Sequence, residues 1–182
     1  RTIIGSPDPK FTAGVDLGAK WRNFDVTGTL FGTFGNKIFD AQKQFYVFRN
    51  FDTNVRKDLL TNSWTPTNQN AKYPILDVND SYSYALSSYY VENGSYVRMR
   101  TLQIGYHIPD SSPFVGRILA GGRIYLQGDN LFTFTGYNGL DPALAAQSVT
   151  GAAGDIRDQF RGVDQGSYPS NKIFSIGLTT TF

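Results

Sequence analysis

The stretch FTAGVDLGAKWRNFDVTGTLFGTFG, Phe11 to Gly35, decides the fold. Its first half sets Phe11, Ala13, Val15, Leu17, Ala19 and Trp21 on one parity and Thr12, Gly14, Asp16, Gly18 and Lys20 on the other. After a tight turn at Arg22 and Asn23, the second half returns with Phe24, Val26, Gly28, Leu30, Gly32 and Phe34 against Asp25, Thr27, Thr29 and Thr33. Successive side chains of a strand point to opposite faces, so this is a β-hairpin with one apolar and one polar face.

Three more segments extend the pattern. SYVRMRTLQIGYHI, from Ser95, changes parity between Met99 and Leu102. One extra residue near Thr101, a β-bulge, restores a single apolar face and puts Arg98 and Arg100 on the polar side. GRIYLQGDNLFTF, from Gly122, sets Ile124, Leu126, Phe132 and Phe134 against Arg123, Tyr125, Gln127 and Asp129. The closing YPSNKIFSIGLTTTF carries Phe174, Ile176 and Leu178 on even positions and stops on Phe182, whereas chain ends of soluble domains are usually frayed and polar. The expected strands are thus 9–21, 24–35, 95–108, 122–134 and 172–182, joined by long loops over 36–94 and 135–171 and shorter links between.

Alternation alone suits a sandwich as well as a membrane barrel. The distribution of rings separates them, because a bilayer favours aromatic residues at both strand ends and aliphatic or small ones between. Phe11, Trp21, Phe24, Phe34, Tyr106, Phe132, Phe134, Phe174 and Phe182 are terminal, while Val15, Leu17, Gly28, Leu30, Ile104, Leu126 and Ile176 are central. Strands of about twelve residues rising about 3.3 Å each and tilted by about 45° would span about 28 Å, close to the height of a lipid-facing band. Long loops on one side and short links on the other are also a habit of outer-membrane barrels. Five strands do not close a barrel, so the remaining strands are expected from a longer chain, of which this sequence, opening at Arg1 without a targeting segment, reads as a piece.

Composition excludes several function classes. With 17 basic and 15 acidic residues the net charge is +2 and no dense basic run appears, so nucleic acid is a poor partner. The absence of cysteine removes thiolate metal sites and disulfides. An aromatic share of 15% and 19 glycines suit a β protein with many turns.

The segments GSPDPKFTAGVDL from Gly5, WTPTNQNAKYP from Trp64, NGSYVRMRTLQIGYHIP from Asn93, IYLQGDNLFTFTGYNGLDP from Ile124 and the closing YPSNKIFSIGLTTTF resemble the C-terminal part of SusC/RagA-type TonB-linked outer-membrane transporters of Bacteroidetes. The resemblance implies an all-β fold: the last five antiparallel strands of a transmembrane barrel of about 22 strands with long extracellular loops. It also implies active import of glycans, oligopeptides or similar nutrients, a SusD-like surface lipoprotein partner, and coupling to TonB through a plug that this chain does not contain. A final aromatic such as Phe182 is similar to the signal that the outer-membrane assembly machinery reads. The stretch Ala143 to Gly166 matches none of these motifs. A non-transporting β module, either an adhesin or a carbohydrate-binding sandwich, is the alternative.

No nucleophile elbow, phosphate loop or zinc signature is present, and neither catalysis nor a cofactor is expected. Arg98 and Arg100, with Tyr125, Gln127 and Asp129, are candidate lumen or cargo contacts. The two arginines are expected to pair with Asp16, Asp25 or Asp129. Trp64, beside Pro66, either stacks on cargo or anchors its loop. His107, the single histidine, is expected to be solvated, and Asp155, Asp158 and Asp164 lack the spacing of a calcium loop. DTNVRKDLLTN, from Asp52, reads as a short helix with Val55 and Leu59 on one face.

Overall fold

The computed structural model describes residues 2–47, 54, 56–77, 79–80, 82–83, 85–109, 121–143, 160–166 and 168–181. The main sheet is built from β1 (Phe11–Trp21), β2 (Phe24–Phe34), β5 (Tyr96–Ile108), β6 (Gly121–Asp129) and β9 (Ile173–Thr181), antiparallel neighbours in that order. A smaller sheet of β3 (Lys37–Asp40), β4 (Val91–Asn93) and β8 (Val163–Asp164) gathers the two long connections. Two one-turn helices, α1 (Lys43–Tyr46) and α2 (Leu59–Asn62), lie in the first of them.

The hairpin register follows the alternation residue by residue, from Phe11 opposite Phe34 to Trp21 opposite Phe24. Arg22 makes the two-residue turn at a left-handed φ of 53°. Asn23 then fastens the turn to the end of β5, its carbonyl accepting the His107 N–H at 2.7 Å and its amide donating to the His107 carbonyl at 3.0 Å. The bulge lies where the change of parity requires it: Thr29 faces Thr101 and Leu30 faces Met99, leaving Arg100 as the extra residue.

The fourth strand differs from the expected continuous 122–134. It stops at Asp129, Asn130 takes a left-handed φ of 54°, and the chain resumes as β7 (Thr133–Thr135), paired with Tyr96, Val97 and Arg98 of β5. The break sits opposite the bulge, where the Asn130 N–H binds the Arg100 carbonyl at 2.9 Å and the Met99 N–H binds the Phe132 carbonyl at 2.9 Å. An extra residue in one strand spoils the ladder for its neighbour, and the neighbour yields at an asparagine, which tolerates the left-handed region.

Register converts these strands into two contrasting faces. Ala19, Val26, Ile104, Leu126 and Ile176 form one row across all five strands, with Trp21, Phe24, Tyr106, Ile124 and Leu178 the next. These side chains are exposed: Trp21 by 69%, Leu178 by 65% and Ile176 by 79%. Among the described residues no second sheet packs on them, as a sandwich would require. An apolar face this broad needs an apolar solvent. Gly32 leaves no gap in it, because the Phe34 ring lies over it, 2.6 Å from where a Cβ would stand.

The core lies outside the wall. Ile38 of β3 and Tyr90, whose ring packs on Phe39, are fully buried in the first long connection, where Val47, Leu59 and Tyr73 also form a cluster with Tyr46 against it. The expected helix from Asp52 is reduced to the single turn Leu59–Asn62, which buries Leu59, while Val55 falls outside the described residues.

Candidate functional site

The polar face of the wall carries a continuous hydrogen-bonded ladder. Rows of Asp25, Gly105, Tyr125 and Gly177, then of Thr27, Gln103, Gln127 and Ser175, run across β2, β5, β6 and β9. The Arg123 guanidinium reaches across β5 to Asp25, with Nε donating to Oδ1 at 2.9 Å, and its Nη2 also donates to Gln103 Oε1 at 2.7 Å. Gln103 donates to Gln127 at 3.1 Å, and Gln127 donates to both oxygens of Asp129, which also accepts from Thr101 at 3.0 Å. At the other end His107 stands 2.9 Å from Asp25 Oδ1 and is half-exposed rather than merely solvated.

Gly105 makes the reach feasible: a Cβ there would lie 2.5 Å from both Arg123 Nη2 and Asp25 Oδ1. The Tyr125 ring lies in the same way over Gly177. Two glycines on the polar face therefore serve as channels through which long side chains cross a strand.

This arrangement corrects the expected partners of the arginine pair. Asp25 belongs to Arg123, Asp129 to Gln127 and Thr101, and Asp16 accepts from the Thr29 hydroxyl at 2.6 Å. Arg98 turns toward the second long connection. It donates to Asp141 at 2.5 Å, Ser170 at 3.0 Å and Thr133 at 2.8 Å, with both charged side chains buried. Arg100, on the bulge, stacks over Phe31 with 4.0 Å from guanidinium carbon to ring centre. Arg123 and Asp141 escaped the sequence reading. Arg123 carried a signal, since its parity placed it opposite the lipid-facing residues like Asp25, whereas Asp141 lies in a loop where parity says nothing.

Outside the wall, buried acids tie the two long connections together. β3 runs parallel to β8, with Asp40 beside Asp164. Asp164 accepts the Tyr137 hydroxyl at 2.6 Å, and Asp40 accepts the Tyr46 hydroxyl at 2.9 Å. Burial holds the Asp40 carboxyl above its ordinary value despite that bond. Burial also pushes the Tyr137 hydroxyl up, helped by its bond to Asp164. Glu92 pairs with Lys43 and accepts the backbone and side-chain N–H groups of Asn138, each at 3.0 Å. Burial raises the Glu92 carboxyl, but Lys43 and Asn138 together bring it below its usual value. Asp141 is likewise opposed by burial and held low by the Ser170 N–H and Arg98. Among the described residues no cluster of three or more His, Asp or Glu side chains is placed to hold a metal ion.

Trp64 lies on the rim of an open cleft of about 500 Å³ in the first long connection, lined also by Tyr73, Pro74, Ile75 and Tyr89. It is 39% exposed, and its backbone N–H binds the Tyr73 carbonyl at 2.9 Å, so the chain is fastened there while the side chain stays accessible. Phe182, Asp155, Asp158 and residues 144–159 of the Ala143 to Gly166 stretch lie outside the described residues.

No family model matches the chain. It is 33% identical over its whole length to TonB-dependent receptor P3 of Formosa agariphila, of which it covers 17%. To TonB-dependent receptor SusC of Bacteroides thetaiotaomicron it is 24% identical, covering 16% of that protein. Among solved structures it resembles a chain of the RagAB peptide transporter, with a TM-score of 0.77, 26% identity, and coverage of 98% of this chain and 18% of that one. The closed-closed state of the RagAB peptide importer gives a TM-score of 0.74 at 26% identity, with 99% of this chain and 18% of that one covered. The chain thus spans less than a fifth of the relatives it matches.

Proposed function

We propose that the chain is a segment of the β-barrel of a SusC/RagA-type TonB-linked outer-membrane transporter and supplies wall and outer loops for active import of an oligomeric nutrient. The observation that carries this reading is the division of one sheet into an exposed apolar face bordered by rings and a self-bonded polar face. Lipid suits the first and a water-filled lumen the second. An unplugged lumen of that size would leak, so the gate and the TonB contact are assigned to parts of the protein beyond this segment. Neither catalysis nor a cofactor enters the reading.

Within it, Tyr125, Gln127 and Asp129 are wall residues of the lumen, Arg98 fastens an outer loop to the rim, and Arg100 shields Phe31. Trp64 is the residue best placed to touch glycan or peptide cargo, being accessible on a cleft of the outer loops. The outer loops 36–94 and 135–171 are the surface offered to a SusD-like lipoprotein.

The test is growth on glycans or peptides as sole nutrient by cells carrying the full-length gene, with and without TonB. TonB-dependent uptake is expected, and uptake that persists without TonB would identify a passive porin instead. Trimming residues 143–166 is expected to weaken co-purification of the lipoprotein while the barrel stays folded. Undiminished recovery would remove that loop from the contact.

A further inference from the structure

We propose that the cleft between Trp64 and Tyr89 binds the C-terminal residue of an oligopeptide whose last side chain is apolar. This inference rests on the import reading above and assigns it a ligand end. A volume of about 500 Å³ is of the size that holds a small ligand or the end of a larger one. The walls are held from behind. The buried Tyr73 donates its hydroxyl to Asp58 at 2.8 Å, its N–H to the Asn62 carbonyl at 3.0 Å, and its carbonyl accepts from Trp64. Trp64 and Tyr89 are 39% and 38% exposed and present apolar surface to the opening.

The polar groups select among ligands. Lys72 is the charged residue lining the cleft, and among the described residues no carboxylate pairs with it. The nearby acids are occupied: Asp58 holds Arg56 through two bonds of 2.9 Å as well as Tyr73, and Glu92 holds Lys43 and Asn138. The cleft is therefore apolar with one available positive charge, complementary to an apolar side chain next to a carboxylate. A sugar ring would need several carboxylate or amide neighbours for its hydroxyls, and this lining contains no Asp, Glu, Asn or Gln, only the hydroxyls of Ser83, Ser87, Tyr73 and Tyr89 and the Trp64 indole N–H beside Lys72. A peptide C-terminus carries the required pair of groups on one residue.

Calorimetric titration of the purified full-length transporter decides the matter, with the probe Ala-Ala-Ala-Ala-Phe as free acid and as C-terminal amide, and maltohexaose as the glycan probe. The acid is expected to bind about tenfold more tightly than the amide, the scale of one charge-assisted hydrogen bond. Lys72→Gln, an exposed substitution, should reduce that ratio to below about threefold, while Trp64→Ala or Tyr89→Ala should weaken acid and amide alike. Equal binding of acid and amide, a ratio that survives Lys72→Gln, or binding of maltohexaose in place of the peptide would overturn the proposal. So would indifference to Trp64→Ala and Tyr89→Ala, which would mean that another part of the receptor fills the cleft. Each of these leaves TonB-dependent growth intact, whereas failure of the import reading appears as uptake without TonB, so the two failures are distinguishable.

Discussion

Placing an arginine at Leu17 puts the assignment of faces to its most direct test. Leu17 stands on β1 between the rings of Phe11 and Trp21, and it is 57% exposed beside Gly28. With a rise of about 3.3 Å per residue and a tilt of about 45°, Leu17 lies about 9 Å from the level of Trp21 and about 14 Å from that of Phe11. That is near the middle of a band about 25 Å tall, where an arginine facing lipid costs about 2 to 4 kcal/mol. The folded population in a urea titration would fall by a factor of roughly 30 to 1,000, since about 1.4 kcal/mol is tenfold. The matched control is Thr27→Arg, on the opposite face and exposed beside Gly18, which should cost little. Leu178→Arg should be milder than Leu17→Arg, because its row includes the lower rings Trp21, Phe24 and Tyr106. Urea-driven folding of the full-length barrel into bilayers reads all three, and equal costs for Leu17→Arg and Thr27→Arg would refute the facing.

Gly105→Ala should push Arg123 off Asp25 and cost about 1 to 3 kcal/mol, most of it vanishing in an Arg123→Ala background when both are compared by chemical denaturation. Asp141, held low in the folded state, contributes stability that is present above its unfolded value near 4 and is lost as pH falls through its lower folded value. Asp40, held high, contributes in the opposite sense, its stabilising effect being complete below that unfolded value and lost as pH rises through the raised one. Asp141→Asn should therefore flatten the acid-side loss of amide-exchange protection in the outer loops, and Asp40→Asn should flatten the loss on the rising side. Deleting Phe182 should lower the heat-modifiable transporter in membrane fractions more than Phe174→Ala does, and equal losses would make Phe182 an ordinary ring of the girdle.

The wall was legible because its two constraints are both periodic. Alternation fixed which residues share a face, and the change of parity between Met99 and Leu102 located the bulge to within one residue of Arg100. The break after Asp129 was hidden, because Phe132 and Phe134 keep the right parity even though the chain leaves one ladder for another. Ion pairing was hidden for a related reason. Parity places Arg98 and Arg123 on the same face, but which acid each meets depends on the glycine at 105 and on a loop aspartate, neither of which has a period. The outer loops were least legible of all, since their order comes from a parallel β3 to β8 pair more than a hundred residues apart in sequence and from buried acids bonded to tyrosines.

These same features explain how the loops are mounted. The carboxylates of the polar face are satisfied within the wall, Asp25 by Arg123 and His107, Asp129 by Gln127 and Thr101, and Asp16 by Thr29, so they need no outside partner to offset their desolvation. Arg98 differs, a wall residue whose acid comes from the second long connection, and that connection is paired in turn with the first through β3 and β8. Breaking a buried pair by removing one partner costs about 3 to 5 kcal/mol, comparable with several weak loop contacts. The described parts of the two long connections are therefore joined through β3 and β8 and tied to the rim at Arg98 and at the segment before β1, whose Ser6 carbonyl accepts from Lys37 at 2.8 Å, while β3 also pairs with β4 ahead of β5.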